Sequence, residues 1–224
     1  MNIKGFLKYA SEEENLFRTL FVSLLTSFAA LALFYFIGLK NVENFIPKYG
    51  LYLFLAILGY SLILLSARHV RIYREFACMS GMMIGMTIGM IAGFLSGFFI
   101  GATNGMFWGS VFGMSVGILF GVWNGKCCGI MGVMEGIMAG FMGGLRGART
   151  ALMTFNDNVI YMGIITFIIA SSILLGLNYM IYKETREIQN KNRESDFFII
   201  FWSLLLTAIT IWMMVFGPRS VLFQ

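Results

Sequence analysis

The chain is poor in charged residues, proline, cysteine and histidine. Only 12% of its 224 residues are charged, and it contains two prolines, three cysteines and one histidine. So little charge, together with a mean hydropathy of +0.81, excludes an ordinary soluble domain. The scarcity of proline permits long uninterrupted helices. Membrane β-barrel strands, with roughly ten residues of alternating polarity, are not apparent in the sequence.

Enzyme motifs are missing as well. The chain has no HExxH or CxxC motif, and its glycines are not in the GxGxxG or P-loop context of a nucleotide site. No serine and histidine are placed to form a catalytic pair, so we expect that the protein is not an enzyme. The formal net charge of +5 comes from basic residues that stand singly or in short groups beside apolar runs. That arrangement is typical of membrane topology signals, and we expect no nucleic-acid partner.

Glycine, in contrast, is abundant and regularly placed. In water each glycine in a helix costs about 1 kcal/mol relative to alanine. In a bilayer the backbone must satisfy its own hydrogen bonds, and small residues four apart let helices approach closely. The pattern therefore predicts helices packed through glycine contacts, a glycine zipper. We call the thirteen glycines spaced four apart the glycine ladder: Gly81, Gly85, Gly89, Gly93, Gly97, Gly101, Gly105, Gly109, Gly113, Gly117, Gly121, Gly125 and Gly129.

The apolar runs predict an all-α, polytopic integral membrane protein with about seven transmembrane helices. The run from Cys78 to Met153 would measure roughly 114 Å as one helix, whereas the hydrocarbon core is about 30 Å thick. It must therefore fold into three closely packed spans. Three segments result: residues 1–76 with two spans, the Gly/Met-rich core 77–153 with three, and residues 154–224 with two. The predicted spans lie at about 16–39, 52–66, 78–101, 105–123, 127–150, 159–182 and 197–216.

Two further features of the core and its flanks follow from counting. A four-residue step turns an α-helix by about 400°, so a glycine stripe drifts by about 40° per step and is expected to leave its face after a few steps. With the N-terminus inside, the inner segments hold 11 lysines and arginines and the outer segments 5. This asymmetry predicts an N-terminus inside and a C-terminus outside the cytoplasmic or plasma membrane.

Sulfur-containing residues gather at the predicted inner face. Cys78 begins the third span and Cys127 and Cys128 begin the fifth, where a reducing compartment would keep them as thiols. Twelve of the seventeen methionines lie between Met79 and Met153. Thiolates and thioethers are the soft ligands that select Cu(I), so we predict a soft-metal site for this ion. Its candidate ligands are Cys78, Cys127, Cys128, Met79, Met82, Met86 and Met131.

Packing offers a simpler interpretation of the same residues. Methionine fills irregular gaps well, and glycine grooves are a natural place for it. Adjacent Cys127 and Cys128 would point about 100° apart on a helix, so they cannot both face one ion without a distorted turn. The lone His69 lies in a predicted basic loop and is expected to contact solvent or lipid headgroups rather than a metal.

Glu135 lies about two turns into the fifth predicted span. An ionisable residue at that depth is costly and indicates function, as a proton acceptor, a cation site or the partner of an arginine. The alternative is a carboxyl group that is hydrogen-bonded to a neighbouring helix.

Two classes of function follow. In the first, the protein handles or transports a soft cation, with Cu(I) as the expected ion, through its cysteines and methionines. In the second it is a glycine-zipper scaffold, either a self-associating, channel-like oligomer or a structural subunit of a larger membrane complex. The expected partners are the lipid bilayer and either further copies of the chain or other membrane subunits. Sulfur atoms that converge beside a polar cavity would favour the first class, and scattered or lipid-facing sulfurs the second.

Overall fold

The apolar runs of the sequence form helices throughout the described part of the chain. A computed structural model describes residues 14–37, 45–72, 78–126, 129–155, 157–185 and 197–218. These residues form seven α-helices: α1 Glu14–Ile37, α2 Phe45–Ile72, α3 Cys78–Asn104, α4 Met106–Gly125, α5 Gly129–Met153, α6 Val159–Thr185 and α7 Phe197–Phe216. The protein is therefore all-helical in this part of the chain.

The helix bounds lie close to the predicted spans, with one clear difference. The sequence predicted a short second span at 52–66, whereas α2 is a helix of 28 residues. It continues beyond the apolar run through Arg68, His69 and Arg71. Basic residues in the last turn of a helix interact favourably with the carbonyl end of its dipole, which explains why the helix does not stop where the apolar run does.

Six of the seven described helices are long and apolar enough to cross a bilayer. These six make the chain an integral membrane protein in character. α5 is not among them, because Glu135, Arg146 and Arg149 interrupt its apolar sequence. A seventh crossing therefore stays a prediction, and α5 becomes the helix whose surroundings need an explanation.

α3 packs against five other helices, as α2 does, and has two unlike faces. Through its glycines it packs against α4 and α5, and it also packs against α2, α6 and α7. Large side chains serve the second set of contacts. Leu95, for example, lies against Gly59 of α2, and Phe98 against Gly163 of α6. Both Leu95 and Phe98 are buried.

Polar side chains tie the helices outside the glycine core to one another. The hydroxyls of Thr26 in α1 and Ser203 in α7 lie 2.7 Å apart. The amide of Asn178 in α6 donates to the hydroxyl of Ser66 in α2 at 3.1 Å. Such bonds contribute about 0.6 kcal/mol each on average inside a membrane. They therefore set the relative register of the helices more than they set total stability.

The turn between α3 and α4 is a single residue, Gly105. Its φ of 108° lies in the left-handed region that favours glycine. Gly105 therefore makes a turn, whereas the sequence assigned it to helix packing. Beside it, buried Asn104 donates from Nδ2 to the backbone carbonyl of Met213, so this turn also holds the end of α7. Gly129, the first residue of α5, likewise has a positive φ of 69°.

Candidate functional site

The glycines of α3, α4 and α5 meet in five successive layers. Each layer takes one small residue from each helix, with α4 antiparallel to the other two. The layers are Gly85, Gly125 and Gly132; Gly89, Gly121 and Gly136; Gly93, Gly117 and Gly140; Gly97, Gly113 and Gly144; and Gly101, Gly109 and Ala148. The three helices therefore keep one register over four turns.

Backbone touches backbone in these layers. A Cβ atom added to Gly85 would lie 2.8 Å from the Cα of Gly125, and one added to Gly89 would lie 2.9 Å from the Cα of Gly121. Real Cβ atoms essentially never approach another heavy atom within 3.0 Å. Any residue larger than glycine at these positions therefore forces the helices apart. Gly129 differs, because a Cβ there would meet nothing within 4 Å.

The row of glycines turns gradually around each helix, so it faces first one neighbouring helix and then the other. On α3, the atoms nearest Gly85 belong to α4, those nearest Gly93 belong to both α4 and α5, and those nearest Gly101 belong to α5. On α4 the stripe passes from α3 at Gly109 to α5 at Gly125. A drift of about 40° per step would carry the stripe away from a single partner. With a third helix present, a glycine that has turned away from one neighbour contacts the other. The four-residue spacing therefore suits a bundle of three helices.

α5 has one face of small residues and one face of large ones. Its buried residues are all glycine or alanine: Gly132, Gly136, Ala139, Gly140, Gly143, Gly144, Gly147, Ala148 and Ala151. Its exposed large residues are mainly methionine and isoleucine: Ile130, Met131, Met134, Ile137, Met138, Phe141, Met142 and Met153. We call the exposed set, together with the charged residues beside it, the outer face of α5.

The charged residues of α5 lie on this outer face. Glu135, Arg146 and Arg149 are all exposed. The stretch between Glu135 and Arg146 has ten residues and measures about 15 Å along the helix. That is half the thickness of a hydrocarbon core of about 30 Å. If α5 crosses the bilayer, Glu135 and Arg146 therefore cannot both lie at its surfaces, and at least one of them lies within the hydrocarbon core. Lipid alone is a poor environment for the outer face of α5.

The predicted metal ligands are only partly within the described residues. Cys127 and Cys128 lie outside them, as does the side chain of Cys78, whose backbone begins α3. Met79 and Met131 are 74% and 65% exposed, Met86 is also exposed, and Met82 is half-buried. No group of three or more His, Cys, Asp or Glu side chains suited to a metal ion occurs in the described ranges. Three of the four predicted methionine ligands, Met79, Met86 and Met131, therefore face outward instead of converging in the core.

His69 lies in the interior, contrary to the prediction that it contacts solvent or headgroups. It belongs to α2 and is 0% exposed. The prediction was wrong because the neighbouring arginines were interpreted as a loop, whereas α2 continues through them. Burial of one side of the final turn places His69 inward and leaves Arg71 half-buried.

Arg71 lies in a cluster of aromatic rings that the sequence did not reveal. Its guanidinium carbon is 5.1 Å from the ring centre of Trp123 and 4.4 Å from that of Phe198. The rings of Trp123 and Trp202 are 4.7 Å apart. Cation–π contacts of this kind contribute about 0.5–1 kcal/mol at exposed sites and about 2 kcal/mol when desolvated. The cluster joins the ends of α2, α4 and α7, which are far apart in the sequence.

A cavity of about 300 Å³ lies between α3, α5 and α6. Its walls include Met90 and Phe94 of α3, Arg146 of α5, and Thr166 and Ile173 of α6. The lining is almost wholly apolar even with Arg146 included, so this arginine lines the cavity mainly with the carbon atoms of its side chain.

Comparison with known proteins adds no relative to this picture. The chain matches no protein-family model, and no curated protein and no solved structure is significantly similar to it.

Proposed function

We propose that the protein is a glycine-zipper membrane scaffold that associates with further copies of itself through the outer face of α5. The zipper of α3, α4 and α5 holds α5 by backbone contact on one side. Its other side presents methionines, Glu135 and Arg149 to a neighbouring copy. The protein would thus build an oligomer in the bilayer.

The single observation that carries this proposal is the division of α5 into two faces. All nine of its buried residues are glycine or alanine, and its charged residues are on the opposite side. A charged residue at the centre of a membrane helix costs about 2.5–3.5 kcal/mol on insertion scales. A neighbouring protein surface or a water-filled centre removes that cost, and lipid does not.

The glycines themselves are not the proposed contact between copies. Those of α3 and α4 in the five layers already touch glycine or alanine within the same chain. Methionine is the most frequent of the exposed large residues on α5, and its flexible thioether suits an adaptable protein contact. The self-association therefore rests on large side chains, while the small ones fix the helix that presents them.

A cyclic arrangement would give the oligomer a channel-like centre. Copies related by an axis along the membrane normal place equivalent residues at the same depth. Glu135 of every copy would then lie in one ring. Rings of carboxylates are what many cation channels use to select their ion. Glu135 is the residue to which we assign this role.

The oligomeric mass of the purified protein in mild detergent tests the proposal. We expect a multiple of 25.2 kDa for the protein component. Met138→Trp should lower the mass towards one chain, because a bulky ring at a packed contact separates the copies. Leu33→Trp on α1 is the matched control, since Leu33 is 61% exposed and lies on a different helix. A monomeric wild-type protein, or equal loss in both variants, would contradict the proposal.

Soft-metal handling is the second candidate, and the common position of its predicted ligands near the starts of α3 and α5 favours it. Met79, Met86 and Met131 lie near the starts of α3 and α5, where the three cysteines of the sequence also fall. Their thioethers are accessible instead of locked into the core. Cys78, Cys127 and Cys128 would supply thiolates for Cu(I), and Glu135 a charge or a proton acceptor.

Metal analysis of the purified protein loaded with Cu(I) tests this candidate. We expect bound copper in the wild type and its loss when Cys78, Cys127 and Cys128 are all replaced by serine. Binding should strengthen as the pH rises, because thiols must lose protons to coordinate a metal. Equal copper content in the two proteins would reject a cysteine site.

The proposed orientation has the N-terminus inside and the C-terminus outside. It rests on the excess of basic residues in the inner segments and on α5 crossing the membrane within its oligomer. Accessibility tags at the two ends should report opposite sides. Tags on the same side would mean that one helix does not cross, most simply α5, which is not among the six helices apolar enough to do so.

A further inference from the structure

We propose that the cavity between α3, α5 and α6 is a binding site for a phospholipid with an anionic headgroup. Arg146 would hold the phosphate, and one acyl chain would lie along α3. This site lies at the edge of the contact between copies proposed above, because Arg146 is the only residue of the outer face of α5 that lines the cavity and none of the methionines of that face does.

The packing of the helices creates the cleft. α5 packs on α3 and α4, while α6 packs on α2 and α3, so α5 and α6 diverge above the surface of α3. Gly143 and Gly147 bring α5 down onto the backbone of Met90 and Phe94. The remaining volume of about 300 Å³ is at the small end of ligand sites in proteins. It is large enough for part of one lipid chain.

The cleft itself is apolar, as an acyl chain requires, and the exposed Arg146 beside it supplies a positive charge for a negative head. Among the described residues that line it, Arg146 carries a positive charge and none carries a carboxylate. The hydroxyl of Thr166 already donates to the carbonyl of Gly163 at 3.0 Å, so it does not call for a polar ligand. A guanidinium group binds phosphate through two parallel N–H donors, which favours a phosphate over other heads.

The direction of the cleft agrees with a lipid seated head outward. Arg146 is seven residues from the end of α5, or about 10 Å along the axis. From Arg146 the apolar lining continues to Met90 on α3 and Ile173 on α6, both nearer the middle of their helices. An acyl chain would therefore run inward from a phosphate held by Arg146, as chains run in a bilayer.

Native mass spectrometry of the purified full chain tests this inference, with phosphatidylglycerol, phosphatidylcholine and oleic acid as the added probes. We expect one retained phosphatidylglycerol per chain and at least tenfold weaker retention of phosphatidylcholine. Arg146→Gln should weaken phosphatidylglycerol retention by at least tenfold. Lys183→Gln is the control, because Lys183 is an exposed basic residue of α6 that does not line the cavity.

A second variant keeps the test decisive if Arg146→Gln does not fold. Ala170→Leu fills the apolar part of the cleft and leaves the arginine in place, and it should also reduce phosphatidylglycerol retention. Equal retention of phosphatidylglycerol and phosphatidylcholine, equal loss in Arg146→Gln and Lys183→Gln, or stronger retention of oleic acid would overturn the proposal. Because the readout is bound lipid, its failure is distinguishable from a failure of self-association, which is read from the protein mass.

Discussion

The glycine core of α3, α4 and α5 and the outer helices α1, α2, α6 and α7 hold together in different ways. In the core, backbone atoms lie against backbone atoms at positions where no side chain intervenes. Among the outer helices, large apolar side chains interlock and hydroxyl and amide groups bond across the contacts. Lipid tails are as apolar as leucine, so the hydrophobic effect does not drive helices together in a bilayer. Both arrangements supply other attractive contacts between the helices.

The comparison shows that the two kinds of helix contact differ in how well they tolerate a larger side chain. A core contact joins two backbones without side chains between them, so no flexible group can move aside when an atom is added. An outer contact ends in side chains that can adopt other rotamers. The core is therefore suited to hold α5 in one position, which the proposed contact between copies requires.

The largest expected effect is from enlarging a core glycine. A Cβ at Gly113 would lie 2.7 Å from the Cα of Gly97 and 2.9 Å from that of Gly144. Gly113→Leu should therefore lower the free energy of unfolding by about 3 kcal/mol or more, the upper range for overpacking. Denaturation in mixed detergent micelles measures this change.

Gly176→Leu on α6 is the control for that experiment. A Cβ at Gly176 would meet nothing within 4 Å, so the free energy of unfolding should not fall by more than about 0.5 kcal/mol. Similar destabilisation by the two substitutions would mean that the core contacts are no closer than the outer ones.

A smaller effect is expected from the outer helices. Thr26→Ala and Ser203→Ala remove hydroxyls that lie 2.7 Å apart. A double-mutant cycle on the free energy of unfolding should give a coupling of about 0.6 kcal/mol and no more than about 1.7 kcal/mol, as for other bonds between membrane helices. A coupling as large as the Gly113→Leu effect would remove the distinction between the two regions.

Much of the helical architecture could be predicted from the sequence, because long apolar runs report helices directly. The partners of each glycine could not, since a stripe that drifts by about 40° per step passes between neighbours whose positions only the fold determines. His69 was misplaced for a related reason. Its basic neighbours indicated a loop, whereas burial depended on where α2 ended. The setting of Arg71 was equally hidden, because Trp123 and Phe198 come from two distant helices.

The site residues also include some features that the sequence predicts and others that only the fold determines. The unusual position of Glu135 followed from composition alone, because a carboxylate inside an apolar run is rare. Its exposure on the outer face of α5 depended on which residues of that helix are buried. The cleft beside Arg146 had no sequence signal, since it results from the divergence of α5 and α6 above α3.

Cysteine cross-linking in native membranes tests the central claim, that another copy covers the outer face of α5, most directly. In a chain whose three native cysteines are replaced by serine, Met138→Cys should give a covalent dimer with a short thiol-reactive cross-linker. Leu33→Cys, exposed on α1, should stay monomeric under the same conditions. A monomeric Met138→Cys protein, or a dimer that forms as readily through Leu33→Cys, would contradict the account.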